Sequence, residues 1–315
     1  MADIVVVGSI NIDSSFGIDR LPHAGETLQV EAGHTAIGGK GANQAVALAR
    51  LGADAAMIGM VGTDDDGDLA LTRLRREGLA VPEVRRGRAP TGRAIVLLGP
   101  SGESTVLLAA GANADLGRED VLEHGNLLAS ARCVLVQLET GDEAVRAAVE
   151  SATNLVVLNP APARTVPDHI LKRVDVLVPN RLELAQMCGL PGAPARLEDV
   201  EELARGLAGP RAIVVTLGGD GCLVLQDGTA THLPAEPAEV VDTTGAGDSF
   251  CGALVNALMN GADLVEAARA ATAAAAVSVA RSGAMDSLPT AAELPPSAAA
   301  AGNQGVEAPG KKVTS

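Results

Sequence analysis

Six short runs of aliphatic and β-branched residues are apolar almost without interruption: Ile4 to Val7, Ala55 to Met60, Cys133 to Leu138, Leu155 to Leu158, Val174 to Val178 and Ala212 to Thr216. A strand with one wet face alternates polar and apolar residues, so a continuous apolar run marks a strand covered on both faces. Between the runs lie segments with helical spacing, at about 41–51, 64–77, 118–129, 142–152, 181–188, 197–207, 247–259 and 263–280. Strand and helix in alternation predict an α/β fold of three layers, a mostly parallel central sheet with helices on both faces.

Two stretches break the alternation. Within about 14–37, Thr27 to Glu31 alternates polar and apolar, as a strand with one covered face does; within about 90–112, two apolar runs from Arg93 to Ala109 flank Gly99-Pro100-Ser101-Gly102, a hairpin signal. Both are read as a small inserted β-sheet, a lid over a site or a contact between subunits. The domain is expected to span 1–290. From 291 to 315 the chain is rich in Ala, Gly and Pro, a composition that favours disorder.

Charge and composition narrow the function. The 315 residues carry 39 Asp and Glu against 24 Lys and Arg, a net charge of −15, which argues against nucleic acid and anionic membrane as partners. Phe16 and Phe250 are the only aromatic residues besides histidine, so a stacking platform for bases is nearly excluded. Cys133, Cys188, Cys222 and Cys251 show no metal or redox spacing. Without a basic n-region or a long apolar run, the expectation is a cytoplasmic protein with reduced thiols.

Ligands of open α/β sheets bind beyond the carboxyl ends of the parallel strands. Asn11 and Asp13 follow the first run, Glu139 the third, Asn159 the fourth, Asn180 and Glu183 the fifth, and Gly218, Gly219 and Gly221 the sixth. Two glycine clusters are more specific. Gly38-Gly39-Lys40-Gly41-Ala42-Asn43-Gln44 opens a helix and would let backbone N–H groups approach an anion or a polyol, with Lys40 adding charge; a tight turn with a solvated lysine is the plainer reading. It is no P-loop, because Gly41 stands where Ser or Thr is needed and His34 where the first glycine is needed. Asp242-Thr243-Thr244-Gly245-Ala246-Gly247-Asp248-Ser249 also precedes a helix. Its unpaired N–H groups can form an anion hole for a phosphoryl group, with Asp248 placed to take a proton from an attacking hydroxyl; an ordinary acidic first turn is the alternative.

In this order, Gly8-Ser9-Ile10-Asn11-Ile12-Asp13, the Gly38 to Asn43 cluster, Asn159-Pro160-Ala161-Pro162-Ala163, Asn180-x-x-Glu183 and Asp242 to Asp248 resemble the ribokinase-like carbohydrate kinases, from about Asp3 to Pro289. The resemblance implies a ribokinase-like α/β/α domain with a β-sheet lid, and transfer of the ATP γ-phosphoryl group to the 5-hydroxyl of D-ribose. It implies that Asn11, Asp13, Gly39, Lys40, Gly41, Asn43 and Glu139 hold the sugar, with Asp248 as base and Gly245, Ala246 and Gly247 as anion hole. Asn180, Thr216, Leu217, Gly218, Gly219, Asp220, Gly221, Gly247 and Thr272 would bind ATP. Family members often carry a larger polar residue at the position of Thr272. Glu183, with Asn180, would organise Mg²⁺ through water, and Asp242, Thr244, Ser278, Arg281, Gly283 and Ser287 would hold K⁺, ordering the anion-hole loop. In ribokinases two lids pair into a homodimer. A deoxyribose, fructose or nucleoside kinase, or a non-catalytic sugar-binding regulator, remain alternatives; the shortage of aromatics disfavours a nucleoside.

Overall fold

The two side-chain faces of the first strand enter different cores, Ile4 and Val6 one and Val5 and Val7 the other, and all four are buried. That is the packing its unbroken apolarity predicts. The structure, a computed structural model, describes residues 2–30, 33–99 and 104–295. Its strands are β1 (Ile4–Val7), β2 (Asn11–Gly17), β3 (His34–Gly38), β4 (Ala55–Val61), β5 (Val84–Arg86), β6 (Gly92–Leu98), β7 (Ser104–Ala109), β8 (Cys133–Gln137), β9 (Leu155–Asn159), β10 (Val176–Leu177), β11 (Ala212–Thr216), β12 (Cys222–Gln226) and β13 (Thr229–Leu233). The helices are α1 (Lys40–Arg50), α2 (Asp65–Arg76), α3 (Ala112–Asp115), α4 (Arg118–Leu122), α5 (Gly125–Ser130), α6 (Asp142–Ser151), α7 (Asp168–Leu171), α8 (Arg181–Met187), α9 (Leu197–Gly206), α10 (Ala246–Met259) and α11 (Leu264–Val279).

The large sheet runs β13-β12-β11-β10-β9-β8-β1-β4-β5, parallel from β11 to β5 and antiparallel where β12 joins β11 and β13 joins β12. One face packs on α1, α2, α10 and α11, the other on α6, α8 and α9, giving the expected three-layer α/β architecture. The second sheet, β3-β2-β6-β7, is the expected inserted layer.

Several local expectations change. Residues 27–30 lie outside any strand, and Glu31 lies outside the described residues; the lid strands are β2 and β3, whose register pairs Asn11 with Gly38 and Asp13 with Ala36. The hairpin of β6 and β7 forms as expected, although its turn, 100–103, lies outside the described residues. The helix expected over 118–129 is broken at Glu123 and His124 into α4 and α5. The β12–β13 hairpin turns at Asp227 and Gly228, both at positive φ (49° and 74°), the backbone that Asp-Gly turns favour. Past the expected boundary at 290, Ala291–Glu293 forms a 3₁₀ turn tied down by an Arg281–Glu293 ion pair, and Leu294 is buried; the rest of the expected tail, 296–315, lies outside the described residues. No helix among the described residues is long and apolar enough to cross a membrane.

Candidate active site

Asp248 sits in the first turn of α10, buried to 6% exposure. The N-cap of that helix is Gly245 at φ 78°, and a Cβ there would lie 2.9 Å from the Ala284 backbone. Only glycine therefore lets the loop turn into the helix while touching residue 284. Of the expected anion-hole amides, that of Ala246 is already taken by the Thr243 carbonyl at 3.3 Å; those of Gly247 and Asp248 belong to the first turn, where a helix supplies no acceptor, so they are free to bind an anion.

α10 packs alongside α1 with their first turns adjacent. Asn43 Nδ2 donates to Asp248 Oδ2 and Gln44 Nε2 to Asp248 Oδ1, each at 2.9 Å. Gln44 also donates to Asn159 Oδ1 at 3.1 Å, Asn159 Nδ2 donates to the Val178 carbonyl at 2.8 Å, and Gln137 Nε2 donates to Gln44 Oε1. Two residues beyond β8, Glu139 accepts from Ser9 Oγ and, at 3.1 Å, from the Lys40 backbone N–H. Asn113 Nδ2 donates to Asn11 Oδ1 at 2.8 Å and to the Ile10 carbonyl, while its oxygen accepts from Ile10 N–H.

The carboxylates crowd each other. Burial, then the nearby Glu139 and Asp248 charges, push Asp13 up to about 7 despite the opposing Lys40 ammonium. For Lys40, burial pulls down but Asp248, Glu139 and Glu183 outweigh it, so the ammonium is stabilised. Asp13 Oδ1 and Asn43 Oδ1 are buried and have no partner among the described residues. Because buried polar atoms are normally paired, these two are placed to meet the hydroxyls of a ligand.

Beside this cluster lies a cleft of about 580 Å³ lined by Asn180, Thr216, Gly218, Gly219, Gly221, Gly247 and Thr272 among others. These are expected nucleotide residues, and a Cβ at Gly218 or Gly219 would meet nothing within 4 Å. Leu217 and Asp220 do not line it: Leu217 is buried in the core and Asp220 pairs with Arg181. The Thr272 hydroxyl donates to the Ala268 carbonyl and contacts Cys222 Sγ.

Glu183 forms a capping box with Asn180 at the start of α8, and burial pushes its carboxyl up, against a hydrogen bond from Asn180. The expected cation residues also converge. Asp242 Oδ1 accepts from Thr244 N–H and Oγ, its Oδ2 accepts from Gly283 N–H, and Ser278 and Ser287 share a hydroxyl bond at 2.8 Å. Burial would raise the Asp242 carboxyl, but those hydrogen bonds hold it below the usual range. Arg281 contributes its backbone N–H to the Ser278 carbonyl, and its side chain turns to Glu293.

Sequence reasoning gave no role to Ser9, Gln44, Asn113 or Gln137. All but Asn113 carried a signal, a polar residue within or beside an apolar run or on the buried face of α1.

The fold and this site define a kinase of small polyols, and the comparisons agree. The model of the pfkB family of carbohydrate kinases matches residues 1–291, so the chain belongs to that family. It is 35% identical over 291 residues to a ribokinase of Haemophilus influenzae, covering 91% of this chain and 95% of the relative. It is 33% identical over 295 residues to a deoxyribokinase of Salmonella typhi, covering 91% and 96%. The structure of Arabidopsis thaliana ribokinase complexed with ribose and ATP superposes with a TM-score of 0.84 at 32% identity, over 92% of this chain and 96% of that one.

Proposed function

We propose that the chain transfers the γ-phosphoryl group of ATP to the 5-hydroxyl of D-ribose, giving ribose 5-phosphate and ADP. The observation that carries this reading is the cluster in which Asp248, held by Asn43, lies among the charges of Asp13, Lys40 and Glu139, next to a glycine-lined cleft that reaches Gly247. Carboxylates and carboxamides suit a polyol, because a sugar lacking one hydroxyl leaves a buried group unpaired. Asp248 takes the proton of the attacking hydroxyl, while first-turn amides of α10 stabilise charge on the phosphoryl oxygens. The bond from the γ-phosphorus to the sugar oxygen forms as the bond to the bridging oxygen of ADP breaks.

A divalent cation would neutralise phosphate charge. Glu183, whose buried carboxyl a nearby cation would favour as carboxylate, fits a water-mediated role for Mg²⁺. The oxygen set of Asp242, Thr244, Ser278 and Ser287, with backbone carbonyls of the same loops, suits K⁺ and adjoins the Gly245 turn. Ile95 and its cross-strand neighbour Leu107 are exposed on the lid, which suits pairing with a second copy. Free Cys133, Cys222 and Cys251, all buried thiols, suit the cytoplasm.

The likeness to a deoxyribokinase favours 2-deoxyribose as the second reading. ADP release measured with ribose, 2-deoxyribose, fructose and adenosine, each in K⁺ and in Na⁺, separates them. Ribose giving the highest kcat/KM, with K⁺ stimulation, is expected; equal ADP release with and without any sugar sinks the kinase reading.

A further inference from the structure

The polarity of one buried amide chain is fixed at both ends. The Val178 carbonyl can only accept, so the Asn159 NH₂ must face it and the Asn159 oxygen must face Gln44. The Asp248 carboxylate, when ionised, can also only accept. The Gln44 NH₂ therefore has two acceptors, Asn159 Oδ1 and Asp248 Oδ1, that use its two hydrogens, and its oxygen is turned to Gln137 Nε2. Gln44 and Gln137 are fully buried and Asn159 is 8% exposed, so water does not compete for these bonds. Reversing the Gln44 amide would set oxygen against oxygen at both Asp248 and Asn159.

We propose that Gln44 is a positioning residue for phosphoryl transfer. It commits Oδ1 of Asp248 to the amide chain and so leaves Oδ2, shared with Asn43, as the oxygen that receives the proton. The inference rests on the kinase reading above and deepens it. A carboxylate free to rotate presents its accepting lone pair to the hydroxyl only part of the time; donors on both oxygens stop that rotation. The structure assigns the two donors to consecutive residues of one rigid helix, α1, whose first turn also carries Lys40 and its bond to Glu139. Sugar contacts and base orientation are thereby set by the same element. Among the described residues the carboxamide of Gln44 bonds only to Asp248, Asn159 and Gln137, so its removal reaches the sugar through Asp248.

The test is a double-mutant cycle on the full chain, with kcat, KM for ribose and the unfolding midpoint measured for Gln44→Met, Gln44→Ala, Asp248→Asn and each Gln44 variant combined with Asp248→Asn. Gln44→Ala removes the carboxamide without placing a new polar or bulky group beside Asp248 and leaves a space lined by Gln137, Asn159 and Asp248 that water can fill, so it covers the case in which Gln44→Met does not fold. Each Gln44 variant is expected to lower kcat by about 10- to 100-fold through misplacement of the base, with KM for ribose changed less than about threefold. In the Asp248→Asn background the same variants should lower kcat no further. Undiminished losses in that background, or a rise in KM matching the fall in kcat, overturn the role while leaving the kinase reading intact. A wild-type protein without sugar-dependent ADP release overturns both.

Discussion

Asn43 and Asp248 are 205 residues apart in sequence and hydrogen-bonded at 2.9 Å. The contact exists because α10 lies against α1 with almost nothing between them: a Cβ at Gly252 would stand 2.5 Å from Ala47 Cβ and 3.3 Å from the Gln44 carbonyl. Gly252 is one turn beyond Asp248, and Ala47 one turn beyond Asn43. The absence of one side chain at 252 therefore sets the distance at which Asp248 meets the carboxamides that hold it.

Gly252→Ala should consequently be destabilising, even though alanine favours an isolated helix by about 1 kcal/mol. Overpacking of a filled core costs about 1–3 kcal/mol, and the displaced α10 carries Asp248 away from Asn43 and Gln44. Urea denaturation should show the lower midpoint, and turnover should fall alongside it. Adding Ala47→Gly, which removes the Cβ that the new methyl strikes, should restore part of both; a double variant no better than Gly252→Ala would contradict the close-packing account.

Asp248→Asn tests the base itself. Loss of general-base help should reduce kcat by about 10²–10⁴-fold, while ribose binding measured by calorimetry changes far less, because Asn11, Asp13, Lys40 and Glu139 are untouched. Turnover within a few-fold of wild type would assign the proton transfer elsewhere.

The sheet was largely legible in the sequence because β1, β4, β8, β9 and β11 are buried on both faces and their composition says so. The β12–β13 hairpin was missed although Asp227-Gly228 between strand-like runs announces such a turn. Thr27 to Val30 misled because alternation over so few residues also occurs in loops. The glycine turns and the acidic residue that opens α10, Asp248, were legible as motifs. Their supports were not: Asn113 is brought to Asn11 by the packing of α3 under the lid, and nothing local to either residue records that meeting. Gln44 and Gln137 were visible as polar residues among apolar ones, but their mutual contact and the direction of their amides depend on the folded arrangement.

Sugar affinity should depend on pH through Asp13. Its carboxyl is raised to about 7 in the folded protein from an ordinary 3.8, so between those values the native state holds a proton that the unfolded chain releases. This group's contribution to stability is complete below about pH 4 and is lost as pH climbs towards 7. Sugar hydroxyls that donate to Asp13 favour its ionised form. KM for ribose should therefore rise as pH falls below 7, and binding there should release protons, detectable by calorimetry in buffers of different ionisation enthalpy. Glu139, Asp248 and Lys40 face the same group, so Asp13→Asn is the control: its KM should be higher throughout and should lose most of the slope. A wild-type KM flat from pH 5.5 to about 8 would remove Asp13 from the sugar site.

Asn113 offers a test of how the site chooses its hydrogen-bond polarity. Its NH₂ donates to Asn11 Oδ1 and to the Ile10 carbonyl, so on the proposed sugar-binding role Asn11 is left to present its own NH₂ to the sugar. Asn113→Asp keeps the acceptor for Ile10 N–H but sets an oxygen against both former acceptors. The Asn11 amide then turns over to donate to the new carboxylate, and the sugar meets an oxygen where it had met a donor. A site built to read a hydroxyl loses most when its polar groups are mismatched, so KM for ribose should rise by at least about tenfold. Since Asp248, Asn43 and Gln44 keep their bonds, kcat at saturating sugar should fall much less. Asn113→Leu removes the donor and the acceptor together and leaves three buried polar atoms unpaired, at about 1–3 kcal/mol each; its main effect should be a lower unfolding midpoint. If instead Asn113→Asp lowers the midpoint as much as Asn113→Leu and leaves KM unchanged, Asn113 supports the β1–β2 turn without orienting Asn11 towards substrate.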